Sequence, residues 1–107
     1  MSFHVLDASY ELLRAVRVPL ATVKAAHGPL GDQLIRAVES VPLNIAEASA
    51  LTAKSAQHSY RIALGSTREV EAALRTAECL GFVGAADIAE AVALCDRIRA
   101  MLWRLTR

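Results

Sequence analysis

Aromatic side chains are scarce in this chain of 107 residues, where two Phe, two Tyr and a single Trp make up 5% of the sequence. With so few rings, the core must be closed by small aliphatic side chains, and alanine, leucine, valine and isoleucine dominate a 54% hydrophobic content. Cysteine is equally rare. Cys79 and Cys95 form no C-x-x-C motif, which leaves no redox pair or zinc site and makes both read as small core residues on helices. His4, His27 and His58 are scattered, and none has an acidic residue at the E-x-x-H spacing of bundle metal sites, so they read as surface histidines. Charge of one sign is lacking too: 12 basic and 11 acidic residues leave +1, far from the balance of a strongly basic nucleic-acid binder. A local basic patch is still compatible with that sum. No apolar stretch reaches the ~18 residues of a membrane span, and Met1 to Tyr10 lacks the basic start and apolar run of a secretory signal. A soluble cytoplasmic protein with no membrane partner is the expectation. Neither Gly28-Pro29-Leu30-Gly31 nor Gly65-Ser66 matches a phosphate-binding loop, and no serine has a recognisable base and orienting acid. The chain therefore reads as a non-enzyme with no cofactor, metal or small-molecule substrate.

What is present is helical periodicity. His27-Gly28-Pro29-Leu30-Gly31, Ser49 to Ser55, and Gly81-Phe82-Val83-Gly84 punctuate the chain, and the four segments between them show no strand-period alternation. Helix one is expected from about Asp7 to Ala26, with Ala8, Leu12, Ala15, Pro19 and Val23 in line and Leu6, Leu13 and Leu20 beside them. Helix two begins near Asp32, a plausible cap. Helix three covers about Ser55 to Leu80, with Tyr60, Ala63, Thr67, Val70, Leu74, Ala77 and Gly81 as its seam. Helix four covers about Ala85 to Leu105, with Ile88, Ala91, Cys95, Ile98, Leu102 and Leu105. Short connections between long helices favour antiparallel neighbours, hence a single all-α domain over 1–107, an up-down-up-down four-helix bundle. A mean hydropathy of +0.33 leaves apolar surface to spare, so self-association is expected.

The second helix carries the most distinctive pattern. Leu34, Val38, Val41, Ile45 and Ala48 step by four, three, four and three, the narrow seam of a helix packed along its length. Nearly opposite lies a stripe of Arg36, Ser40, Asn44 and Glu47. Pro42 sits between them and removes a backbone donor, at a cost of about 3 kcal/mol or more, so it should kink or divide the helix. The stripe reads either as a partner-binding face or as structure. In the structural reading Asn44 and Ser40 satisfy the carbonyl freed by Pro42, while Arg36 or Glu47 pairs across a helix or subunit boundary.

Ser40-Val41-Pro42-Leu43-Asn44-Ile45-Ala46-Glu47 resembles the S-[IV]-P-x-N-I-A-E signature of the small bacterial four helix bundle proteins, also called 23S rRNA intervening-sequence or S23 proteins. That family is related to the accessory variability protein of diversity-generating retroelements. A second block, Ile62-Ala63-Leu64-Gly65-Ser66-Thr67-Arg68-Glu69, followed by Leu74 and Leu80-Gly81-Phe82, is also similar, as is Asp32-Gln33-Leu34-Ile35-Arg36-Ala37 upstream. The chain departs from the pattern at Ala48, where the family has glycine, and at Lys54 and Gln57, where it carries an arginine and an acidic residue. The resemblance implies a homo-oligomer, a pentamer, and an interaction role with RNA, DNA or a protein partner. It also marks Arg36, Ser40, Pro42, Asn44, Glu47, Gly65, Ser66 and Glu69 as structural or assembly positions. Gly65 costs a helix about 1 kcal/mol relative to alanine unless another backbone comes close, so close packing is the expected reason for it.

Arg61, Arg68 and Arg75 stand seven residues apart, on one stripe with about 10 Å between neighbours. Such a row can follow a phosphate backbone. It can equally be a solvated face, with Glu71 and Glu78 pairing to Arg68 and Arg75 three residues before them. Arg97, Arg104 and Arg107 make a second, weaker basic line. The alternative function is a helix-turn-helix regulator, because Ile45 to Tyr60 superficially resembles the DNA-reading segment of TetR-type repressors. Ala50 replaces the turn glycine there, and Lys54, Gln57 and His58 offer few contacts to base edges.

Overall fold

The four periodic segments form four helices in a computed structural model that describes residues 2–107, with side chains from His4 onward. They are α1 (Ser2–Ala26), α2 (Gly28–Ala48), α3 (Ala53–Cys79) and α4 (Ala85–Thr106). Each packs against its neighbours in sequence, and α1 closes the ring on α4. At about 1.5 Å per residue, the 27 residues of α3 account for most of the 43 Å long axis.

The seams lie where the periodicity places them. Leu34, Val38, Val41, Ile45 and Ala48 of α2 are buried, as are all the expected α3 positions except Gly81 and all the α4 positions except half-buried Leu105. In α1 the buried line is Val5, Ala8, Leu12, Val16, Pro19 and Val23, and Ala15 is displaced to the flank. Eight alanines are buried as well, among them Ala37, Ala63, Ala77 and Ala91, which is how the helices come close without aromatic filler.

Helix ends differ from expectation for local reasons. Helix α1 begins at Ser2 rather than Asp7. Helix α2 begins at Gly28 rather than Asp32, because Pro29 falls in the first turn, where no backbone donor is needed. Its cap is His27, whose backbone is extended and whose Nδ1 accepts from the Leu30 N–H at 3.2 Å. Asp32, freed from capping, pairs with Lys24 across the α1–α2 turn, and that bond lowers its pKa below the ordinary carboxylate value. Gly31 packs directly on α1: a Cβ there would lie 2.6 Å from the Lys24 Cα. Helix α2 runs through buried Pro42 as one element and is not divided by it.

Helix α3 ends in a Schellman motif. Gly81 takes φ +81°, its N–H bonds the Glu78 carbonyl, and the Phe82 N–H bonds the Ala77 carbonyl, both at 2.9 Å. This explains why Gly81 leaves the seam. Phe82 then stacks on His27 with ring centroids 5.9 Å apart, joining the α3–α4 turn to the α1–α2 turn at the same end of the bundle. The α3–α4 contacts run in opposite order along the two helices, from Arg61–Thr106 to Glu71–Arg99, so these two are antiparallel.

Candidate functional site

Gln57, Arg61, Leu64, Arg68, Glu71, Arg75 and Glu78 recur at four and three along α3 and line its groove with α4. Gln57 Nε2 donates to the Arg107 carbonyl at 3.3 Å, and Arg61 Nη2 donates to the Thr106 carbonyl at 3.4 Å. Below them Leu64 and Arg68 face Asp96, Arg99, Ala100 and Trp103 around a hollow of about 310 Å³. A second hollow of about 550 Å³ lies beyond, where Arg75 and Glu78 face Ala85, Ala89 and Val92. The three arginines expected as a row thus share one groove.

They do not share one electrostatic state. Glu71 pairs with Arg75 at 2.9 Å and lies 3.3 Å from Arg99 Nη1, so the expected Arg68–Glu71 pair does not form. Glutamate four residues before its cation is the favoured helical order, and Arg99 draws the same carboxylate from across the groove. The Glu71 hydrogen bond raises the Arg75 pKa further. The Glu71–Arg99 contact is ionic only, since Glu71 Oε1 and Arg99 Nε are both buried without a hydrogen bond. Arg99 also donates to Asp96 at 2.9 Å. Arg68 is exposed and makes no hydrogen bond or ion pair among the described residues.

The signature residues form a different structure, on the α2–α3 face. Asn44 Nδ2 donates to the Ser40 carbonyl at 2.9 Å and to Ser40 Oγ at 3.0 Å, and Ser66 Oγ donates to Ser40 Oγ at 2.7 Å. The two sequence blocks therefore meet through one hydroxyl, which spends both lone pairs as an acceptor. Asn44 takes the Ser40 carbonyl and not the one Pro42 deprives of a donor, which belongs to Val38 one turn earlier. Arg36, Glu47 and Glu69 are exposed and form no hydrogen bond or ion pair among the described residues. Gly65 also departs from expectation: it is exposed, and a Cβ there would meet nothing within 4 Å. Beside the Ser40–Ser66 contact, Leu43 is 67% exposed and Ile62 41%.

Of the two cysteines, Cys95 is buried and Cys79 is exposed, so only one is a core residue. Burial pushes the Cys95 thiol up to about 12, and Glu71 adds to the shift. His4, His27 and His58 are exposed. Sequence reasoning passed over Arg99 and Trp103. Their signal was an arginine and the chain's one tryptophan four residues apart on the flank of the α4 seam.

The segment resembling a DNA reader does not stand free. Helix α3 continues unbroken for 27 residues, and Ser59, Tyr60 and Ala63 of its first turns are buried in the bundle. No helix among the described residues is long and apolar enough to cross a membrane.

The family model described as 23S rRNA-intervening sequence protein matches residues 2–104. The chain is also similar to a crystal structure of a protein with unknown function from the S23 ribosomal protein family, from Bacteroides thetaiotaomicron VPI-5482. Identity is 20%, the match covers 96% of this chain and 98% of that one, and the TM-score is 0.85, a likeness of fold. No curated protein matches the chain.

Proposed function

The chain belongs to the 23S rRNA-intervening sequence protein family, and from that premise we propose that it is a non-enzymatic, self-associating bundle that engages nucleic acid along the α3–α4 groove. The observation that carries this reading is the convergence of Arg61, Arg68 and Arg75 in one groove, with Arg68 in no ion pair among the described residues. An exposed cation without an internal carboxylate is available to a phosphate. Arg75, held by Glu71, contributes less. The family name, which refers to an intervening sequence of 23S rRNA, makes RNA the first nucleic acid to test.

Self-association is supported on the α2–α3 face, where Leu43 and Ile62 stand exposed beside the signature contact and Gly65 presents bare backbone outward. The number of copies, five, comes from the family resemblance alone. A protein partner is the second reading, favoured by the far half of the groove, where Glu71, Glu78 and Asp96 outnumber Arg75 and Arg99.

Replacing Arg61, Arg68 and Arg75 together by glutamine is expected to weaken RNA binding across sequences. The slope of log affinity against log salt should fall by up to about three phosphate contacts. Fluorescence anisotropy at several salt concentrations measures both quantities. A folded triple variant with unchanged affinity and slope removes the row.

A further inference from the structure

We propose that Trp103 and Arg68 form a subsite for one unstacked nucleotide of a single-stranded nucleic acid, with the base on the indole and its phosphate on the guanidinium. The inference rests on the nucleic-acid reading above and adds the residue that would select single strands.

Trp103 is the chain's single tryptophan and one of its five aromatic residues, yet 55% of it is exposed on α4. The bundle makes little use of it as core, because the α4 seam is filled by Ile98 and Leu102 on the inward side. Trp103 stands instead at the lip of the 310 Å³ hollow, with Leu64 and Ala100 as apolar neighbours and Arg68 opposite on α3. A half-exposed indole beside a small apolar floor offers a stacking platform. Base–aromatic stacking is tolerant of sequence because every base has a π-face.

Charge points to the same occupant. At this hollow Arg99 is held by Asp96 and Glu71, whereas Arg68 forms no ion pair among the described residues, and Arg61 lies two turns before it on α3. The unpaired cation of the groove therefore sits beside the indole, while the far half, with Glu71, Glu78 and Asp96 against Arg75 and Arg99, is the more acidic. A phosphodiester chain with exposed bases matches both features. A duplex keeps its bases stacked on each other and would leave the indole unused.

The chain's single tryptophan makes the test direct. Trp103 fluorescence is followed as 12-nucleotide oligo-U, oligo-dT and a 12-base-pair duplex are added, with anisotropy of labelled oligonucleotide read in parallel. The expected result is quenching by the single strands and not by the duplex. Trp103→Ala should bind the single strands about tenfold more weakly, Trp103→Phe should retain most affinity, and Arg68→Gln should lower the salt slope by about one contact. Since Trp103 is exposed, the alanine variant should keep its fold, which circular dichroism checks. Oligo-U against oligo-dT separates RNA from DNA, and preference for either supports the subsite. Single strands that bind without quenching, and bind Trp103→Ala equally well, overturn the subsite while leaving the nucleic-acid reading intact. A Trp103→Ala variant that changes oligomer size by light scattering but not oligonucleotide affinity makes the residue a subunit contact and also overturns it. If no nucleic acid binds the wild-type protein at low salt, the underlying reading fails and the subsite with it.

Discussion

At the scale of single residues, Ser40 joins the two sequence blocks. Its hydroxyl accepts from both Asn44 and Ser66, and Ser66 is buried. Ser40→Ala leaves the Ser66 hydroxyl without its acceptor and should cost about 1–3 kcal/mol, against about 1 kcal/mol for Asn44→Ala, which removes a donor and leaves the Ser40–Ser66 bond in place. Urea denaturation of the two variants checks the order. Equal stabilities, with loss only of partner binding, would make the signature a ligand contact. The glycines divide in the same way. Gly31→Ala drives a Cβ into the Lys24 backbone and should destabilise by about 1–3 kcal/mol. Gly65→Ala meets open space and should stabilise a lone subunit by roughly 0.5–1 kcal/mol. If Gly65→Ala instead reduces oligomer size in gel filtration, the bare backbone is needed between subunits.

At the scale of elements, each helix hides one face and leaves the other to solvent, and cysteine chemistry reports that division. Cys95 lies in the α4 seam with its pKa pushed up to about 12 by burial, so near pH 8 it is almost entirely thiol. Cys79 is exposed in the last turn of α3. A thiol reagent at pH 8 should modify one cysteine per native chain and two after denaturation. Since thiolate is the reactive form, raising the pH toward 12 should speed Cys95 labelling in a chain that stays folded, and unfolding should speed it further by exposing the thiol. Two rapidly labelled thiols at pH 8 would mean that the α3–α4 pair opens.

At the scale of the whole molecule, the bundle separates two surfaces. The α3–α4 groove holds the arginines and Trp103, while the neighbouring α2–α3 face holds Leu43, Ile62 and Gly65. Leu43→Lys places a charge on the second face without touching the first, so it should lower the oligomer size and leave the Arg68–Trp103 half of the groove intact. Gel filtration with light scattering measures the size. A variant of unchanged size moves the subunit interface elsewhere.

Apolar periodicity along the chain was enough to determine four helices and most of their buried seams, because a helix face is a property of residues three and four apart. The arginine row was visible for the same reason. Pairing across helices was decided only by the tertiary structure. Glu71 had Arg68 and Arg75 within reach on its own helix, and Arg99, 28 positions away in sequence, joins Arg75 in holding it. In the sequence Gly31 falls in the break before helix two, and Gly65 lies inside the helix-three pattern, where close packing was expected. Only the docking of α1 on α2 makes one a close approach and leaves the other open, since helix rotation and register are set by the whole core and not by local sequence.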